Sequence, residues 1–309
     1  ALELRFKSAD PVRIVLEAGP QSPWTSRLLE SLGHDVIVAN PHRVRLIAES
    51  RRKDDRTDAE TLARLGRVDP SLLAPITHRS ERCQQDLSLL RSRDALLSSR
   101  THLISHSRGV VKAATGERLP ACGSTVFHSK ALASVPEALV GGLGPVMAAI
   151  GTLTQCVRGI DRQVDRLIAE RYPEALLLQQ VGGVGPLTSL AFVLTLGDPA
   201  RFTSSRAVGA YCGLTPGRRQ SGSRDPQLRI TKAGDGYLRR LLVQSAHYIL
   251  GHFGPDCDLR RWGLAHAASG GKNGKRRAVV AVARKLAVLL HRLWLTGEVY
   301  RPLRDEPAA

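Results

Sequence analysis

The stretch VRIVLEAGP, residues 12–20, decides the fold predicted for the N-terminal part of this chain. Val12–Leu16 is an apolar run of strand length, Glu17 follows it, and a Gly-Pro pair ends it. Residues 21–32 carry an amphipathic helical pattern that ends at Gly33, and residues 34–39 (HDVIVA) form a second apolar run. Two near-continuous apolar strands joined by a helix predict a buried parallel pair. Because two strands rarely make a stable sheet alone, the pair predicts part of a larger α/β domain.

A group of carboxylates follows this predicted sheet. The segment KDDRTDAETLA, residues 53–63, places Asp55 and Asp58 three positions apart at a predicted helix start, on one helical face. Together with Glu17 at the end of the first strand, they are candidate ligands of a divalent metal for phosphoryl transfer. The alternative is a surface helix whose acidic first turn is favoured by the helix dipole.

The composition favours a nucleic-acid partner. A formal net charge of +17 is typical of proteins that bind a polyanion, and an aromatic content of 4% argues against binding by base stacking alone. The five cysteines are scattered without a CxxC motif, which excludes a zinc ribbon and makes a disulfide framework improbable. No apolar run approaches membrane length and no signal peptide is evident, so a soluble cytoplasmic protein without a membrane partner is expected.

The middle of the chain predicts two long helices. Residues 80–113 repeat apolar pairs every seven positions, from Leu89 to Val111, and a second helix is predicted to begin near Pro145. Residues 115–144, which include most of the GGLGP sequence, are predicted to be rich in loops. The heptad pattern favours a coiled-coil stalk, formed within the chain, between subunits or both. The alternative is a pair of ordinary helices that pack on a core.

Two features of the C-terminal part suggest phosphate contacts. Gly183 and Gly185 lie in the turn VGGVG, which resembles a helix-hairpin-helix whose amides face a phosphate, although a tight interhelical turn is the alternative. Residues 213–236 form a polar, glycine-rich and basic loop around Ser221. A serine that attacks a phosphodiester needs nearby cations and an activated hydroxyl, and Asp225 is the one candidate base in the loop. The alternative is that Ser221 contacts phosphate without reacting. Predicted nucleic-acid contacts besides the two glycines are Arg218, Arg219, Arg224, Lys232, Arg239 and Arg240.

Four blocks of sequence resemble the insertion-sequence-110 transposases, also called DEDD transposases or bridge-RNA-guided recombinases. They are VLEAGP (15–20), VANPHRVR (38–45) with KDDRTDAETLARL (53–65), VGGVGPLTSLAFVLTLGDPARF (181–202) and AYCGLTPGRRQSGSRDPQLRITKAGDGYLRRLLVQSA (210–246). The resemblance covers nearly the whole chain, and the last block is long and specific.

The resemblance implies a DNA transposase, or site-specific recombinase, of an insertion sequence. Glu17, Asp55 and Asp58 map onto acidic catalytic ligands of Mg²⁺ or Mn²⁺ in a RuvC-like, RNase H-like domain. Ser221 maps onto a catalytic serine that forms a phosphoserine link to DNA, with Ser223 as its main rival. A structured guide RNA is expected to pair with donor and target DNA, and the coiled coil is expected to support a homodimer or tetramer.

The fold class expected from residues and resemblance together is α/β plus α. Residues 1–75 are predicted to form a partial RuvC-like metal-binding domain, 76–175 a coiled-coil stalk, and 176–309 a mostly helical transposase domain with a helix-hairpin-helix-like turn. In the family the first acidic ligand sits on an earlier strand, yet only sixteen residues precede Glu17. We therefore expect an N-terminally truncated domain with an exposed apolar sheet edge and low stability.

Two functions compete with a serine recombinase. One is a metal-dependent nuclease that resembles a junction resolvase and does not use the serine. The other is an inactive, truncated remnant that binds nucleic acid without chemistry. A Ser221→Ala variant separates the first from the recombinase, because a nuclease continues to cut.

Overall fold

A computed structural model describes residues 2–41, 44, 54–222, 224–226 and 228–303. It divides into two compact units, one up to Ser80 and one from Glu81 onward. The chain is mostly helical with a small sheet, in agreement with the predicted α/β plus α class. The division into three parts at 75/76 and 175/176 stays a prediction.

The first unit is built around two parallel strands. The register runs from Arg13 opposite Asp35 to Glu17 opposite Ala39, which confirms the predicted parallel pair. The apolar side chains of this strand pair pack on one side against the helix that follows the second strand. The elements in chain order are α1 (Leu2–Phe6), β1 (Arg13–Glu17), α2 (Ser22–Ser31), β2 (Asp35–Ala39), α3 (Asp55–Val68) and a 3₁₀ turn (Pro70–Leu73).

Helix α1, which the sequence pattern did not predict, is attached to the sheet through a buried histidine. Nδ1 of His34 accepts a hydrogen bond from the backbone N–H of Val12 (3.3 Å), so Nε2 carries the proton and donates to the carbonyl of Phe6 (3.2 Å). The rings of Phe6 and His34 also meet edge to face, with 5.5 Å between their centres. Both contacts join residues far apart in sequence.

The second unit contains nine helices within its described residues. They are α4 (Glu81–Thr115), α5 (Phe127–Leu132), α6 (Glu137–Arg171), α7 (Pro173–Leu178), α8 (Pro186–Leu196), α9 (Ser205–Tyr211), α10 (Gly236–Leu250), α11 (Asp258–Ser269) and α12 (Gly274–Thr296). The apolar helix α8 is buried at the centre, where Phe192 is fully enclosed and its ring meets Trp294 edge to face.

Helices α4 and α6 form an antiparallel hairpin within the chain. Arg93 pairs with Asp161 (Nε to Oδ1, 2.5 Å), and farther along, Arg171 pairs with Asp86 at 3.3 Å. Buried residues of both helices recur at helical spacing along the shared face. The two helices therefore pack against each other within one chain, and the coiled-coil stalk stays a prediction.

The start predicted for the second long helix was wrong. Helix α6 begins at Glu137 and carries Pro145 in its interior, so the GGLGP sequence is helical. The proline is exposed and removes one backbone hydrogen bond, at a cost of roughly 3 kcal/mol. The buried face beside it holds Leu143, Met147 and Ile150, and their packing offsets this cost. Helix α5 lies in the same segment that was predicted to be loop.

Helix α6 is also the one described helix that is long and apolar enough to cross a membrane by length and composition. The expectation that no apolar stretch reaches this length therefore needs correction. A single such helix is weak support for a membrane span, because core helices of soluble proteins pass the same test. Its buried residues pack in the hairpin described above.

The cysteines provide a test of the packing. All five lie within the described residues and none forms a disulfide. Burial raises the pKa of the Cys212 thiol to about 12, whereas Cys156 is exposed. We expect iodoacetamide at pH 8 to modify Cys156 quickly and to leave Cys212 unmodified until the chain unfolds, as read by peptide mass spectrometry.

The same thiol adds a pH dependence to stability. The unfolded chain loses the Cys212 proton near its ordinary pKa of 9.0, while the folded state keeps it until about pH 12. Protons then favour the folded state, so this group makes the free energy of unfolding fall as pH rises through that window. A Cys212→Ala variant should lose this part of the pH dependence. Equal alkylation of Cys156 and Cys212 in the folded protein would contradict the burial.

Candidate functional site

The three predicted acidic residues occupy strand and helix ends of the first unit. Glu17 is the last residue of β1 and is exposed, and the next residue, Ala18, donates its N–H to the carbonyl of Ala39 (3.0 Å). Asp55 and Asp58 lie in the first turn of α3, exposed and half-buried respectively.

Helix α3 packs against the strand pair. Near its C-terminus, Gly66 lies against β1 so closely that a Cβ there would be 2.5 Å from Cγ2 of Val15. One turn earlier, Leu62 shares a buried cluster with Ala39, at the end of β2. These contacts place the C-terminal half of α3 against the strand pair.

The donor chemistry of these carboxylates suits a hard cation. Mg²⁺ is usually bound by one or two carboxylates, several waters and substrate phosphates. In the part of the chain that the structure describes, however, no three His, Cys, Asp or Glu side chains lie close enough together to hold a metal ion. Glu17, Asp55 and Asp58 suit a hard cation in chemical type, but within the described residues the structure does not bring the three together around one ion.

The predicted basic loop folds back on itself through isolated antiparallel bridges and is mostly exposed in its described residues; we call it the arm (residues 213–234, described except for 223 and 227). Backbone hydrogen bonds join its two sides: the N–H of Thr231 to the carbonyl of Thr215 (2.9 Å), and the N–H of Gly217 to the carbonyl of Arg229 (2.9 Å). At the tip, Ser221 exchanges two bonds with a residue three positions later, at 3.0 and 3.1 Å. The sequence pattern predicted the composition of the arm but not its antiparallel bridges.

Ser221 is exposed at this tip. Its reciprocal backbone partner is Arg224, and Gly222 between them adopts a positive φ of 56° that suits glycine. Asp225, the only candidate base predicted in the loop, is engaged by Arg218 (Nη2 to Oδ2, 3.4 Å). The rival Ser223 lies outside the described residues. The arm thus offers an accessible hydroxyl beside cations, and a group from outside the arm must accept the hydroxyl proton.

The root of the arm is fixed by one arginine. Nη1 of Arg239 donates to the carbonyl of Cys212, where the arm leaves the helical body, and to the carbonyl of Ala233, where it returns (3.2 and 2.8 Å). The two ends cross closely, because a Cβ on Gly213 would lie 2.2 Å from the carbonyl oxygen of Ala233. Arg239 therefore closes the arm at its root, and it was predicted only as a nucleic-acid contact.

The other predicted cations differ in their surroundings. Arg219, Arg224 and Lys232 are exposed on the arm, and Lys232 has a positive φ of 55°. Arg240 is engaged by Asp94 of α4 at 2.5 Å. The first three residues have the exposure that a phosphate contact requires.

The contacts of Arg239 predict that the arm becomes more mobile when this side chain is removed. Replacement of Arg239 by alanine removes two charge-assisted hydrogen bonds, worth roughly 1–3 kcal/mol each, from the arm root. We expect faster amide hydrogen exchange across residues 213–234, measured by mass spectrometry, with little change in α8. The matched control is Arg219→Ala, which removes the same charge from the arm surface. If both variants leave the exchange of the arm unchanged, Arg239 does not hold its root.

A second connection to the arm escaped sequence analysis. Asp235, just after the arm, caps α10 by accepting from the N–H groups of Tyr237 and Leu238, and Arg91 of α4 pairs with the same carboxylate at 2.9 Å. The cap itself follows a known helix-start pattern. The partner is 144 positions away, and no local signal identifies it.

The predicted glycine turn joins two helices, as expected. Gly183 has a φ of 87° and lies so close to α10 that a Cβ would be 2.9 Å from Cδ1 of Tyr248. Gly185 precedes α8 and is exposed, with open space around it. Glycine is needed at 183 for both its conformation and its close approach.

The N-terminal and C-terminal parts of the chain each match a family model. Residues 175–259 match a model described as the transposase of the IS116/IS110/IS902 family. Residues 2–115 match a DEDD transposase model of the IS110 type.

Curated proteins that are similar to the chain span most of its length. The transposase for insertion sequence element IS1328 of Yersinia enterocolitica is 31% identical, over 76% of this chain and 70% of that protein. The transposase for insertion sequence element IS1111A of Coxiella burnetii is 28% identical, over 93% and 79%. The pilin gene-inverting protein of Moraxella bovis is 26% identical, over 83% and 71%.

Proposed function

The chain belongs to the IS116/IS110/IS902 family of transposases, and we propose that it recombines DNA at the ends of an insertion sequence with Ser221 as nucleophile. Family membership implies a DNA-cutting and recombining enzyme. The observation that supports Ser221 as the nucleophile is its position at the exposed tip of the basic arm. The relative named as a gene-inverting protein supports recombination as the type of reaction.

The proposed step conserves the number of phosphodiester bonds. Oγ of Ser221 attacks a DNA phosphorus atom, the bond from phosphorus to a deoxyribose oxygen breaks, and that oxygen leaves with a proton. The result is a phosphoserine link and a free deoxyribose hydroxyl. A hydroxyl from the other DNA then attacks the same phosphorus and releases the serine. Joining occurs without hydrolysis, because no water enters either step.

The cations of the arm would stabilise the negative charge on the phosphoryl oxygens during the attack. Arg218, Arg219, Arg224 and Lys232 are exposed on the arm, so a phosphodiester that reaches Ser221 lies among positive charges. Fixed donors of this kind act on the transition state more than on the ground state. Arg218 also pairs with Asp225 at 3.4 Å, so this carboxylate already has a cation as a partner.

The DEDD domain implies dependence on a divalent metal ion. We propose that Glu17, Asp55 and Asp58 hold Mg²⁺ or Mn²⁺, with phosphate oxygens of DNA completing the ligand set. When bound, such an ion lowers the pKa of a hydroxyl and offsets charge on a phosphate. These carboxylates would supply the negative charge that attracts the ion.

Guidance by RNA is a further part of the proposal. A structured RNA that pairs with donor and target DNA would read the sequence, so the protein needs mainly backbone contacts. The net charge of +17 supports such contacts. We also propose that two or four copies assemble around the DNA through the α4–α6 hairpin, in the cytoplasm at the nucleoid.

The test is a search for a covalent protein–DNA adduct. The protein, a structured RNA from the element, donor DNA and target DNA are incubated with Mg²⁺ and analysed by denaturing electrophoresis. The proposal expects an adduct and joined product that both require metal and RNA. Cleavage without an adduct would instead indicate a metal-dependent nuclease, and binding without cleavage would indicate a nucleic-acid-binding protein. An adduct that forms without RNA would contradict guidance by RNA and would still support Ser221 as the nucleophile.

A further inference from the structure

An open pocket of about 410 Å³ lies between the α7–α8 turn and helix α10. None of its lining residues belongs to the arm. One wall is the glycine turn, and the other is the exposed side of α10. Its principal lining residues are Gln179, Gly183, Thr188, Gln244, Ser245 and Tyr248.

The pocket contains a polar group that lacks a partner. Nε2 of Gln179 is buried and makes no hydrogen bond to any of the residues that the structure describes. A buried amide nitrogen without an acceptor is unfavourable, so a ligand that supplies an acceptor gains that interaction. Deeper in the pocket, the hydroxyls of Thr188 and Ser245 lie 3.4 Å apart, and both side chains are buried. On the rim, Gln244 adds a second, exposed amide.

An aromatic face borders the same pocket. Tyr248 is 47% exposed, and its ring is held against the backbone of Gly183. The loop that follows α10 lies beside the turn, since a Cβ on Gly182 would be 2.7 Å from Cγ of Pro255. At the tip of this loop Phe253 is 82% exposed.

The loop that carries Phe253 is held in place. Nη1 of Arg260 donates to the carbonyls of Ile249 and Gly251 at 2.5 and 2.6 Å. A Cβ on Gly254 would lie 2.2 Å from the carbonyl oxygen of Ile249, so the chain turns there without space for a side chain. The aromatic side chain is thus presented to solvent by an ordered loop.

We propose that this pocket binds one unstacked base of single-stranded DNA. Amide side chains beside an aromatic ring are the groups that proteins use to read the edge of an exposed base and to stack on its face. A base has hydrogen-bond acceptors that can pair with Nε2 of Gln179. The phosphates of its strand are attracted to a protein with a net charge of +17. The inference goes beyond the proposed function, because it requires neither the serine nor a metal.

The position of the pocket agrees with a substrate strand that passes the arm. Helix α10 begins directly after the arm at Gly236, and Gln244 and Tyr248 lie on the same helix. At about 1.5 Å per residue, Gln244 is about 12 Å along the axis from the start of α10. A single strand whose phosphates contact the arm root therefore spans this distance within a few nucleotides.

Binding of short oligonucleotides to the full-length protein tests the proposal. The probes are a single-stranded DNA with one central 2-aminopurine, the corresponding duplex, and a single-stranded RNA of the same sequence, all without metal. We expect Tyr248→Ala to weaken single-strand binding about tenfold, the effect of losing one base–aromatic stack, and to leave duplex binding unchanged. Tyr248→Phe should retain the affinity and the quenching of 2-aminopurine.

Two further variants distinguish binding in the pocket from general changes in stability or nucleic-acid affinity. Gln179→Leu should weaken single-strand binding without loss of thermal stability, because its buried amide has no partner to lose. His247→Ala, an exposed neighbour on α10, should leave binding unchanged. Equal weakening of single-strand and duplex binding by Tyr248→Ala, or no effect of Gln179→Leu, would overturn the proposal. A loss confined to RNA would overturn the assignment to DNA. Because no strand is cut in the assay, these outcomes are independent of Ser221.

Discussion

Replacement of Ser221 by alanine is expected to abolish the covalent protein–DNA adduct and to lower the rate of strand joining by ~10⁴-fold or more. The hydroxyl oxygen is the atom that forms the new bond to phosphorus. Ser221 is exposed, and the pairing at the arm tip uses its backbone atoms. The variant should therefore fold and bind DNA as the wild type does.

The matched control is Ser223→Ala, which removes the rival hydroxyl two positions later. It should retain the adduct, and the mass of the DNA-linked peptide should identify Ser221. Loss of the adduct in Ser223→Ala alone would transfer the nucleophile to that serine. Cleavage that proceeds unchanged in both variants would replace the serine mechanism with that of a metal-dependent nuclease.

Replacement of Asp58 by asparagine is expected to lower metal-dependent strand joining by ~10²- to 10³-fold. The substitution preserves size and removes the negative charge that attracts a divalent ion. Asp58 is half-buried in the first turn of α3. Asp55→Asn and Glu17→Gln should act in the same direction. Activity is measured as a function of Mg²⁺ concentration, and a raised requirement for metal is the direct readout.

Glu60→Gln provides the control for this set. Glu60 lies on the same helix and pairs with Arg64 on the exposed surface at 2.6 Å, an arrangement that contributes little to stability. Its loss should leave both activity and metal requirement unchanged. Full activity of Asp58→Asn at low Mg²⁺ would show that this carboxylate is not a ligand. Direct metal binding, followed by calorimetry without DNA, distinguishes a lost ligand from a lost DNA contact.

Local patterns in the sequence predicted most of the regular structure. The parallel pair followed from two apolar runs joined by a helix, and the long helices followed from heptad spacing. These signals are strong because burial of one face imposes a period on the chain itself. Prediction failed at Pro145, where a glycine-proline sequence suggested a break. The packing of α6 on α4 outweighs that local preference.

The candidate site was predicted as a set of residues rather than as an arrangement. Ser221 and the cations of the arm were selected for their chemistry, and the structure adds the antiparallel backbone pairing that presents them. The role of Arg239 at the arm root was missed, because a basic residue near a basic loop resembles a phosphate contact. The pocket beside Tyr248 was also missed, since its walls come from segments about sixty residues apart in sequence.

The sequence by itself determined the parallel strand pair, the long helices and the basic character, and it supplied the candidate site residues, because these follow from local period, composition and motif. The tertiary structure decided that the basic loop is an arm closed by Arg239, and that Arg91 supports the cap at Asp235. It also decided that a glycine turn and α10 enclose a pocket. These features depend on contacts between residues far apart in the chain, which only the packing of helices into one core brings together.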